Sequence, residues 1–217
     1  MKYSLAIFDM DGTILNTLED LKDSLNFALT QNGLPTRTLE ETRRFVGNGI
    51  RRLVELGVPE NSSKGTTEKV FECFNEHYAV HCNDKTRAYD GITELIKRLD
   101  SLGIKTAVVS NKSDYAVQTL CKDYFDGLFG FALGLKDSIR KKPYPDSVNL
   151  VLEKFNIKKE NAVYIGDSEV DIMTAGNAGI DCISVDWGFR TDEELVNAGA
   201  RKIVKNMKEL EKEITKQ

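Results

Sequence analysis

Four short groups of polar residues carry side chains that can bind metal ions and anions. In chain order they are Asp9-Met10-Asp11-Gly12-Thr13, Ser110-Asn111-Lys112, Lys142-Pro143 and Gly166-Asp167-Ser168 with Asp171. Taken singly, each has an ordinary structural explanation, because Asp-Gly-Thr is common in turns, Lys-Pro in solvated loops and Gly-Asp-Ser at helix N-caps. All four follow predicted strands and their chemistry is complementary, so together they predict one site.

The acidic members of these groups have the type and spacing of a magnesium site. Asp9 and Asp11 stand two residues apart at a strand end, which places their carboxylates on one side of the chain. With Asp167 they form an all-oxygen set of hard ligands, which suits Mg²⁺. Zinc favours histidine and cysteine ligands, which these groups lack, and the whole chain contains only 2 histidines.

Strands that alternate with helices position these groups. Residues 3–8 are apolar and predict a first strand, and later strands are predicted at 105–109, 128–133, 162–165 and 181–185, with helices at 91–102, 113–122, 145–155 and 170–178. Such alternation is typical of βαβ units on a parallel sheet. Ligands bind beyond the carboxyl ends of the strands in these sheets, which is where the four groups lie.

The segment after the first strand is predicted to be helical throughout. Residues 17–20 and 38–41 both match a capping box, and the helices that they start end at Asn32-Gly33 and near Gly47. A short third helix carries Ile50, Leu53 and Val54. A fourth is predicted at 67–82, with one stripe formed by Val70, Phe74, Tyr78 and His81.

These patterns predict two domains. A Rossmann-like α/β core with a parallel sheet takes residues 1–16 and 85–217, and an inserted α-helical cap takes residues 17–84. The Lys/Glu-rich tail from Arg201 predicts a terminal helix docked on the core. Its apolar positions are Ile203, Met207, Leu210 and Ile214.

The four groups, read as DMDGT, SNK, KP and GDSEVD, resemble the motifs of the haloacid dehalogenase superfamily of phosphatases, over the whole core. The DxDGT pattern after a first strand is highly specific. The cap is similar to that of phosphoglycolate phosphatases in three segments, at 16–21, 32–35 and 45–54. The resemblance implies a haloacid dehalogenase core, a helical cap and phosphatase activity.

The resemblance also implies roles for the acidic residues. Asp9 would attack phosphorus to form an aspartyl-phosphate, and Asp11 would offer its backbone carbonyl to the metal while its side chain acts as acid and base. That acid role requires a pKa raised by burial and neighbouring carboxylates, since an ordinary Asp, with a pKa of ~3.9, is ionised at neutral pH. Asp167 would ligate magnesium. Asp171, with Ser168 beside it, would hold a metal-bound water or Lys142, the lysine of the KP motif.

Phosphate recognition is expected to fall to donors and positive charge. Ser110 and the backbone at Asn111 match the donor motif, and Lys142, rather than Lys141, matches the lysine that neutralises Asp9 and the phosphate. Gly12 and Thr13 would supply the tight turn at the phosphate.

The cap is expected to contribute to the substrate site through residues 46–52, chiefly Gly47, Asn48 and Gly49. Arg44, Arg51 and Arg52 are most simply a solvated helix face, although one of them could pair with a substrate carboxylate. Gly47-Asn48-Gly49 follows a helix and lacks the third glycine of a dinucleotide fingerprint.

Two other patterns favour a structural over a functional interpretation or exclude a function. His77 and His81 near Cys73 and Cys82 could share a metal, but the apolar stripe beside them favours packing. No G-x-x-x-x-G-K-[ST] occurs, which argues against a nucleotide-driven motor or kinase.

Composition limits the expected partners. With 30 Lys and Arg against 34 Asp and Glu, the net charge of −4 gives no footprint for nucleic acid or an anionic membrane. The 4 cysteines match neither a zinc site nor a disulfide framework, and no apolar run approaches the ~18 residues of a membrane span. We expect a cytoplasmic monomer or homodimer whose partner is a small phosphorylated metabolite.

The leading hypothesis is a magnesium-dependent phosphatase that hydrolyses a small phosphorylated acid, with 2-phosphoglycolate as the best single candidate. Alternatives are a sugar-phosphate phosphatase, a β-phosphoglucomutase-like phosphotransferase, and a pyrophosphatase or nucleotidase. The cap lacks the histidine near its first helix that such mutases usually carry. A receiver-like signalling domain is disfavoured, because in receivers the phosphorylated Asp follows a later strand and no helical insert is expected.

Overall fold

The computed structural model describes residues 2–216. Eight strands lie in this part of the chain: β1 (Leu5–Phe8), β2 (Leu15–Asn16), β3 (Arg87–Ala88), β4 (Lys105–Ser113), β5 (Phe131–Leu135), β6 (Ala162–Gly166), β7 (Asp181–Val185) and β8 (Ile203–Val204). Ten α-helices accompany them: α1 (Leu18–Gln31), α2 (Leu39–Phe45), α3 (Ile50–Gly57), α4 (Lys64–His81), α5 (Ile92–Ser101), α6 (Asp114–Phe125), α7 (Asp146–Phe155), α8 (Glu169–Ala178), α9 (Asp192–Asn197) and α10 (Met207–Thr215).

Six strands form one sheet in the order β5-β4-β1-β6-β7-β8, and their pairings are parallel. β1 lies between β4 and β6, with Phe8 opposite Val108 on one side and Ile165 on the other. The carboxyl ends of these three strands therefore meet at the middle of one sheet edge. This sheet confirms the predicted α/β fold with a Rossmann-like parallel core.

β1 is apolar throughout because helices cover both faces of the sheet. Leu5 and Ile7 belong to one core cluster, with side chains from α7 and α8. Ala6 and Phe8 belong to a second cluster on the opposite face, with side chains from α5, α6 and α10. Because β1 is packed on both faces, its carboxyl end and the residues that follow Phe8 are held in place.

The chain divides into two compact units, Met1–Leu15 with Ala88–Gln217, and Asn16–Arg87. The smaller unit contains α1 to α4. Its core packs α1 against α4, and the buried side chains of α4 are Val70, Phe74 and Tyr78. β2 and β3, each of which has one residue in either unit, pair as a separate two-stranded sheet.

The capping box predicted at residues 17–20 is wrong, although the box at 38–41 is present. The Thr17 side chain caps no N–H of α1. Asp20 is buried and instead accepts hydrogen bonds from the backbone N–H groups of Lys85 (2.9 Å) and Thr86 (2.7 Å) and from the Thr86 hydroxyl (2.8 Å). The carboxylate fastens the start of α1 to the end of the same unit, a long-range contact that local spacing cannot show.

Three further expectations differ from the structure. The strand predicted at 128–133 lies at 131–135, and β4 continues to Ser113 rather than ending at Val109. The tail forms β8 before α10, so Ile203 pairs with Ser184 in the sheet instead of joining the terminal helix. His81 leaves the apolar stripe, since its side chain is 44% exposed and contacts Asp84.

No helix within residues 2–216 has the length and apolar character to cross a membrane. All four cysteines are free thiols.

Candidate active site

Lys142 is the centre of a buried polar network at the carboxyl edge of the sheet. Its Nζ lies 2.9 Å from Asp9 Oδ1, 2.7 Å from Asp171 Oδ1 and 3.0 Å from the Tyr164 hydroxyl. The Lys142 side chain is 2% exposed. Burial by itself lowers the pKa of Lys142, but the carboxylates of Asp171 and Asp9 outweigh burial and hold that pKa well above its usual value.

The Asn111 side chain fixes the backbone of Lys142. Its Oδ1 accepts the Lys142 N–H at 2.8 Å, and its Nδ2 donates to the Lys142 carbonyl at 3.1 Å. This two-way contact joins the end of β4 to the loop before α7. The sequence hypothesis assigned Asn111 a role through its backbone alone and missed this use of its side chain.

Asp9 follows β1 directly, and its own N–H donates to the Ile165 carbonyl at 2.9 Å. Oδ1 accepts the Met10 N–H at 2.7 Å and lies against Lys142. Oδ2 accepts no hydrogen bond from the residues that the structure describes. One carboxylate oxygen is therefore held in place while the other is available for chemistry.

Three buried carboxylates cluster here, because oxygen atoms of Asp9, Asp167 and Asp171 lie within 4.8 Å of one another. Burial raises the pKa of Asp9 to about 7, against the opposing effect of Lys142 and with a further contribution from Asp171. Burial, followed by the charges of Asp171 and Asp9, holds the pKa of Asp167 well above its usual value. Three carboxylates around a single ammonium group are short of positive charge.

Asp167 is held by groups from two other segments. Thr13 Oγ1 donates to its Oδ1 at 3.2 Å, and the Phe189 N–H donates to its Oδ2 at 2.7 Å. A Cβ atom at Gly12 or Gly188 would lie 2.2 Å from atoms of the Asp167 side chain, so neither position has room for one. Gly12 also has φ +84°, the left-handed region that glycine enters without strain.

The segment after β7 was missed at the sequence level. Trp187 Nε1 donates to the Thr13 carbonyl at 3.1 Å, and Gly188 and Phe189 border Asp167 as described. A signal was available, because residues 186–189 follow a predicted strand just as the four polar groups do. Glycine and a backbone N–H carry no functional side chain that a sequence pattern can identify.

Asp171, in the first turn of α8, is fully buried, and both of its oxygens are in use. Oδ1 contacts Lys142, and Oδ2 accepts the Ser168 N–H at 3.1 Å and the Ser168 hydroxyl at 2.7 Å. Of the two partners predicted for Asp171, the structure shows Lys142.

Asp11 points to Lys112 rather than into the carboxylate cluster. Lys112 Nζ lies 2.8 Å from Asp11 Oδ1 and 3.1 Å from Oδ2. Ser110 and Lys112 were expected after a strand that ended at Val109, but they lie within β4, where the register with β5 shifts between Val109 and Ser113. The Ser110 hydroxyl accepts the Lys112 N–H at 3.2 Å.

The expected cap residues lie in the smaller unit. Gly47, Asn48 and Gly49 connect α2 and α3, and Gly49 is the N-cap of α3 with φ 84°. Arg51, at the start of α3, pairs with Glu68 at 2.9 Å and stacks on Phe71 at 4.0 Å. A substrate role for this segment stays a prediction.

The two histidines pack as aromatic rings. His77 stacks between Phe27 and His81, with ring centroids 4.1 and 4.2 Å apart, and its Nδ1 lies 3.0 Å from the Ser24 hydroxyl. Among the described residues, the group that could hold a metal ion is Asp9, Asp167 and Asp171.

A strand-end cluster of aspartates around the buried Lys142, on a parallel sheet, agrees with the comparisons to known proteins. The family model for haloacid dehalogenase-like hydrolases matches residues 6–185. A phosphoglycolate phosphatase of Psychrobacter arcticus is 32% identical over 203 residues, which cover 90% of this chain and 88% of that one.

Two solved structures extend the likeness to the whole fold. One, from Lactobacillus delbrueckii subsp. bulgaricus and provisionally named a phosphoglycolate phosphatase, is 40% identical, with a TM-score of 0.96 and full coverage of both chains. Another, from Haemophilus somnus and named a predicted phosphoglycolate phosphatase, is 25% identical with a TM-score of 0.88, over 97% of each chain. The chain belongs to the haloacid dehalogenase-like hydrolases. Within that family it is a phosphatase.

Proposed function

We propose that this phosphatase hydrolyses a small phosphomonoester through an aspartyl-phosphate on Asp9, with magnesium as its cofactor. The arrangement of Asp9 carries the proposal. Lys142 and the Met10 N–H fix Oδ1, whereas Oδ2 has no donor among the described residues and is free to act as a nucleophile.

The charge balance of the site supports a divalent cation. When ionised, Asp9, Asp167 and Asp171 carry three negative charges, and Lys142 supplies one positive charge. The side chains of Asp9 and Asp167 and the backbone carbonyl of Asp11 would hold Mg²⁺, whose preferred ligands are oxygens. When bound, the ion would neutralise the carboxylates and the phosphate oxygens.

In the first step an Asp9 oxygen forms a bond to phosphorus as the ester P–O bond breaks. The electron pair of that bond leaves on the alcohol oxygen, which takes a proton from the Asp11 carboxylic acid. In the second step Asp11, now a carboxylate, removes a proton from water as the water oxygen bonds to phosphorus. The Asp9–phosphorus bond breaks, and Asp9 and inorganic phosphate are released.

The other groups of the site bind and orient the phosphoryl group. Its charge spreads over the equatorial oxygens during transfer, so positive charge and donors that are fixed in advance supply most of the stabilisation. Lys142 is fixed by its three Nζ contacts and by Asn111, which keeps its charge beside Asp9. The Ser110 hydroxyl and the backbone at Asn111 are the proposed donors.

We propose 2-phosphoglycolate as the substrate. The relative in Psychrobacter arcticus carries the name phosphoglycolate phosphatase, at 32% identity over most of both chains. The loop at 47–49 and the nearby arginines of the smaller unit are the proposed contacts for the substrate carboxylate.

A panel of phosphorylated metabolites tests the proposal, with purified protein assayed in Mg²⁺ and in EDTA. We expect Mg²⁺-dependent release of phosphate, fastest with 2-phosphoglycolate, and loss of turnover in Asp9→Asn. Asp137→Asn is the matched control, because Asp137 is exposed in the loop between β5 and α7. Full activity in Asp9→Asn would overturn the mechanism, and faster turnover of a sugar phosphate would overturn the substrate assignment.

A further inference from the structure

We propose that Lys112 is a positioning residue, which holds the carboxylate of Asp11 in the orientation needed for proton transfer. This inference rests on the proposed function, in which Asp11 protonates the leaving group. The two side chains come from residues 101 positions apart, and Lys112 Nζ donates to both Asp11 oxygens, at 2.8 and 3.1 Å.

Lys112 controls the side-chain torsions of Asp11. The backbone of Asp11 is fixed by its bridge to Leu15 and by the next residue, Gly12, whose N–H donates to the Leu15 carbonyl at 2.9 Å. Only the side-chain torsions of Asp11 are left to set. A donor that contacts both oxygens fixes those torsions together, since rotation about either bond would break at least one contact.

The backbone of β4 departs from regular pairing in the segment that holds Lys112, because the register between β4 and β5 shifts between Val109 and Ser113. The Lys112 side chain is 1% exposed, and its Nζ pairs with Asp11. The Lys112 N–H also donates to the Ser110 hydroxyl at 3.2 Å. One residue therefore contacts both the proposed proton-transfer group and a proposed phosphate donor.

Lys112 is distinct from the lysine of the phosphate site. Lys142 already contacts Asp9, Asp171 and Tyr164, and it lies on a different segment. A buried ion pair contributes little stability compared with apolar packing of the same volume. The geometry that Lys112 imposes on Asp11 is thus its more important contribution.

The consequence should depend on the leaving group. A proton-transfer group must lie within about 2.6–3.2 Å of the atom that it serves, and a misplacement of about 1 Å can reduce a rate about 100-fold. An alkyl alcohol needs a proton as it departs, whereas p-nitrophenolate leaves as an anion. Loss of Lys112 should therefore slow phosphoryl transfer to Asp9 far more from an alkyl phosphate than from p-nitrophenyl phosphate. The second step, in which Asp11 acts as base, is the same for both substrates.

The test compares single-turnover rate constants for release of the alcohol, which report the first step alone, in Lys112→Met for these two substrate types, with 2-phosphoglycolate or the alkyl phosphomonoester that the wild type turns over fastest. We expect the alkyl rate constant to fall at least tenfold more than the aryl rate constant. Lys112→Arg should restore part of the alkyl rate. Lys105→Met, at the exposed start of β4, is the matched control and should leave the ratio of the two rates unchanged.

The Asp11→Asn background separates a positioning role from a structural one. If Lys112 acts through Asp11, adding Lys112→Met to Asp11→Asn causes no further selective loss of the alkyl rate. Equal loss of both rates in Lys112→Met, or a further selective loss in the double variant, would overturn the inference. If Lys112→Met does not fold, Lys112→Gln replaces it, and an unchanged rate ratio in Lys112→Gln decides against the inference.

The same measurements show which idea has failed. Full alkyl activity in Asp11→Asn would overturn the role of Asp11 in the proposed function, and the role of Lys112 with it. A selective alkyl loss in Asp11→Asn together with an unchanged rate ratio in Lys112→Met would leave the proposed function standing and overturn the inference about Lys112 alone.

Discussion

Replacing Gly188 by alanine should impair the enzyme through Asp167. A Cβ at this position would lie 2.2 Å from Asp167 Cβ and 2.6 Å from both Cγ and Oδ2. Carbon atoms pack at about 3.5 Å, so the two segments must separate by about 1.3 Å. Gly188 has no positive φ, unlike Gly12, so the substitution tests the contact without backbone strain.

This separation should lower both the catalytic rate and the affinity for Mg²⁺. A misplacement of about 1 Å can lower a catalytic rate about 100-fold, and disturbing the groups that orient a metal ligand lowers metal affinity about 10–100-fold. The shift also acts on the neighbouring Phe189 N–H, which donates to Asp167 at 2.7 Å. We expect kcat/KM to fall about 100-fold and the Mg²⁺ concentration for half-maximal rate to rise at least tenfold.

The assay titrates Mg²⁺ against p-nitrophenyl phosphate hydrolysis, with isothermal calorimetry as a direct measure of Mg²⁺ binding. Gly176→Ala is the matched control, since a Cβ there meets no atom within 4 Å and Gly176 lies inside α8. Alanine at that position should stabilise the helix by about 0.5–1 kcal/mol and leave activity intact. Wild-type Mg²⁺ affinity and rate in Gly188→Ala would refute the reasoning.

Two further predictions concern stability. The pKa of Asp9 is raised to about 7 in the folded protein, so protonated Asp9 stabilises the metal-free fold. This stabilisation is complete below pH 3.8, the ordinary pKa of Asp, and is lost as the pH rises through about 7. Under the proposed function Mg²⁺ competes with protons for this site, so the increase in Tm on adding Mg²⁺ to EDTA-treated protein should be larger at about pH 8 than at about pH 5. Equal increases would contradict the prediction. Asp20→Ala leaves buried N–H donors unsatisfied and should reduce the free energy of unfolding in urea by about 2–3 kcal/mol. Asp23→Ala removes surface ion pairs with Lys85 and Lys22 and should reduce it by about 0.5 kcal/mol. Equal losses in the free energy of unfolding for these two variants would contradict the role of Asp20 in joining the start of α1 to residues 85 and 86.

The predictable part of the fold depends on local pattern. β7 lies at 181–185 as expected, and β1 is an apolar run that ends at Asp9, because a buried strand and the turn after it are both encoded in neighbouring residues. The clustering of Asp9, Lys142 and Asp167 likewise follows from strands that end at one edge of a parallel sheet.

The unpredicted part depends on contacts between distant segments. Asp20 matches a capping box by spacing, yet the N–H groups of Lys85 and Thr86 compete for its carboxylate. Ile203 fits a helical period, yet pairing with Ser184 places it in β8. In both cases a long-range hydrogen bond outweighs a local preference, which sequence spacing alone does not reveal.

The side-chain partners within the site depend on local departures from regular structure. Asn111 and Lys112 lie where the register between β4 and β5 shifts, and they contact the Lys142 backbone and Asp11 respectively. Spacing places these residues at the right strand end but does not specify which partner each side chain meets.

Trapping the phosphoenzyme tests the central claim most directly. In Asp11→Asn, p-nitrophenyl phosphate should still phosphorylate Asp9, because this leaving group needs no proton, while hydrolysis of the acyl phosphate stalls without its base. Acid quenching, borohydride reduction and peptide mass spectrometry should then find homoserine at position 9. Hydrolysis without any covalent intermediate, or a phosphoryl group on another residue, would contradict the account.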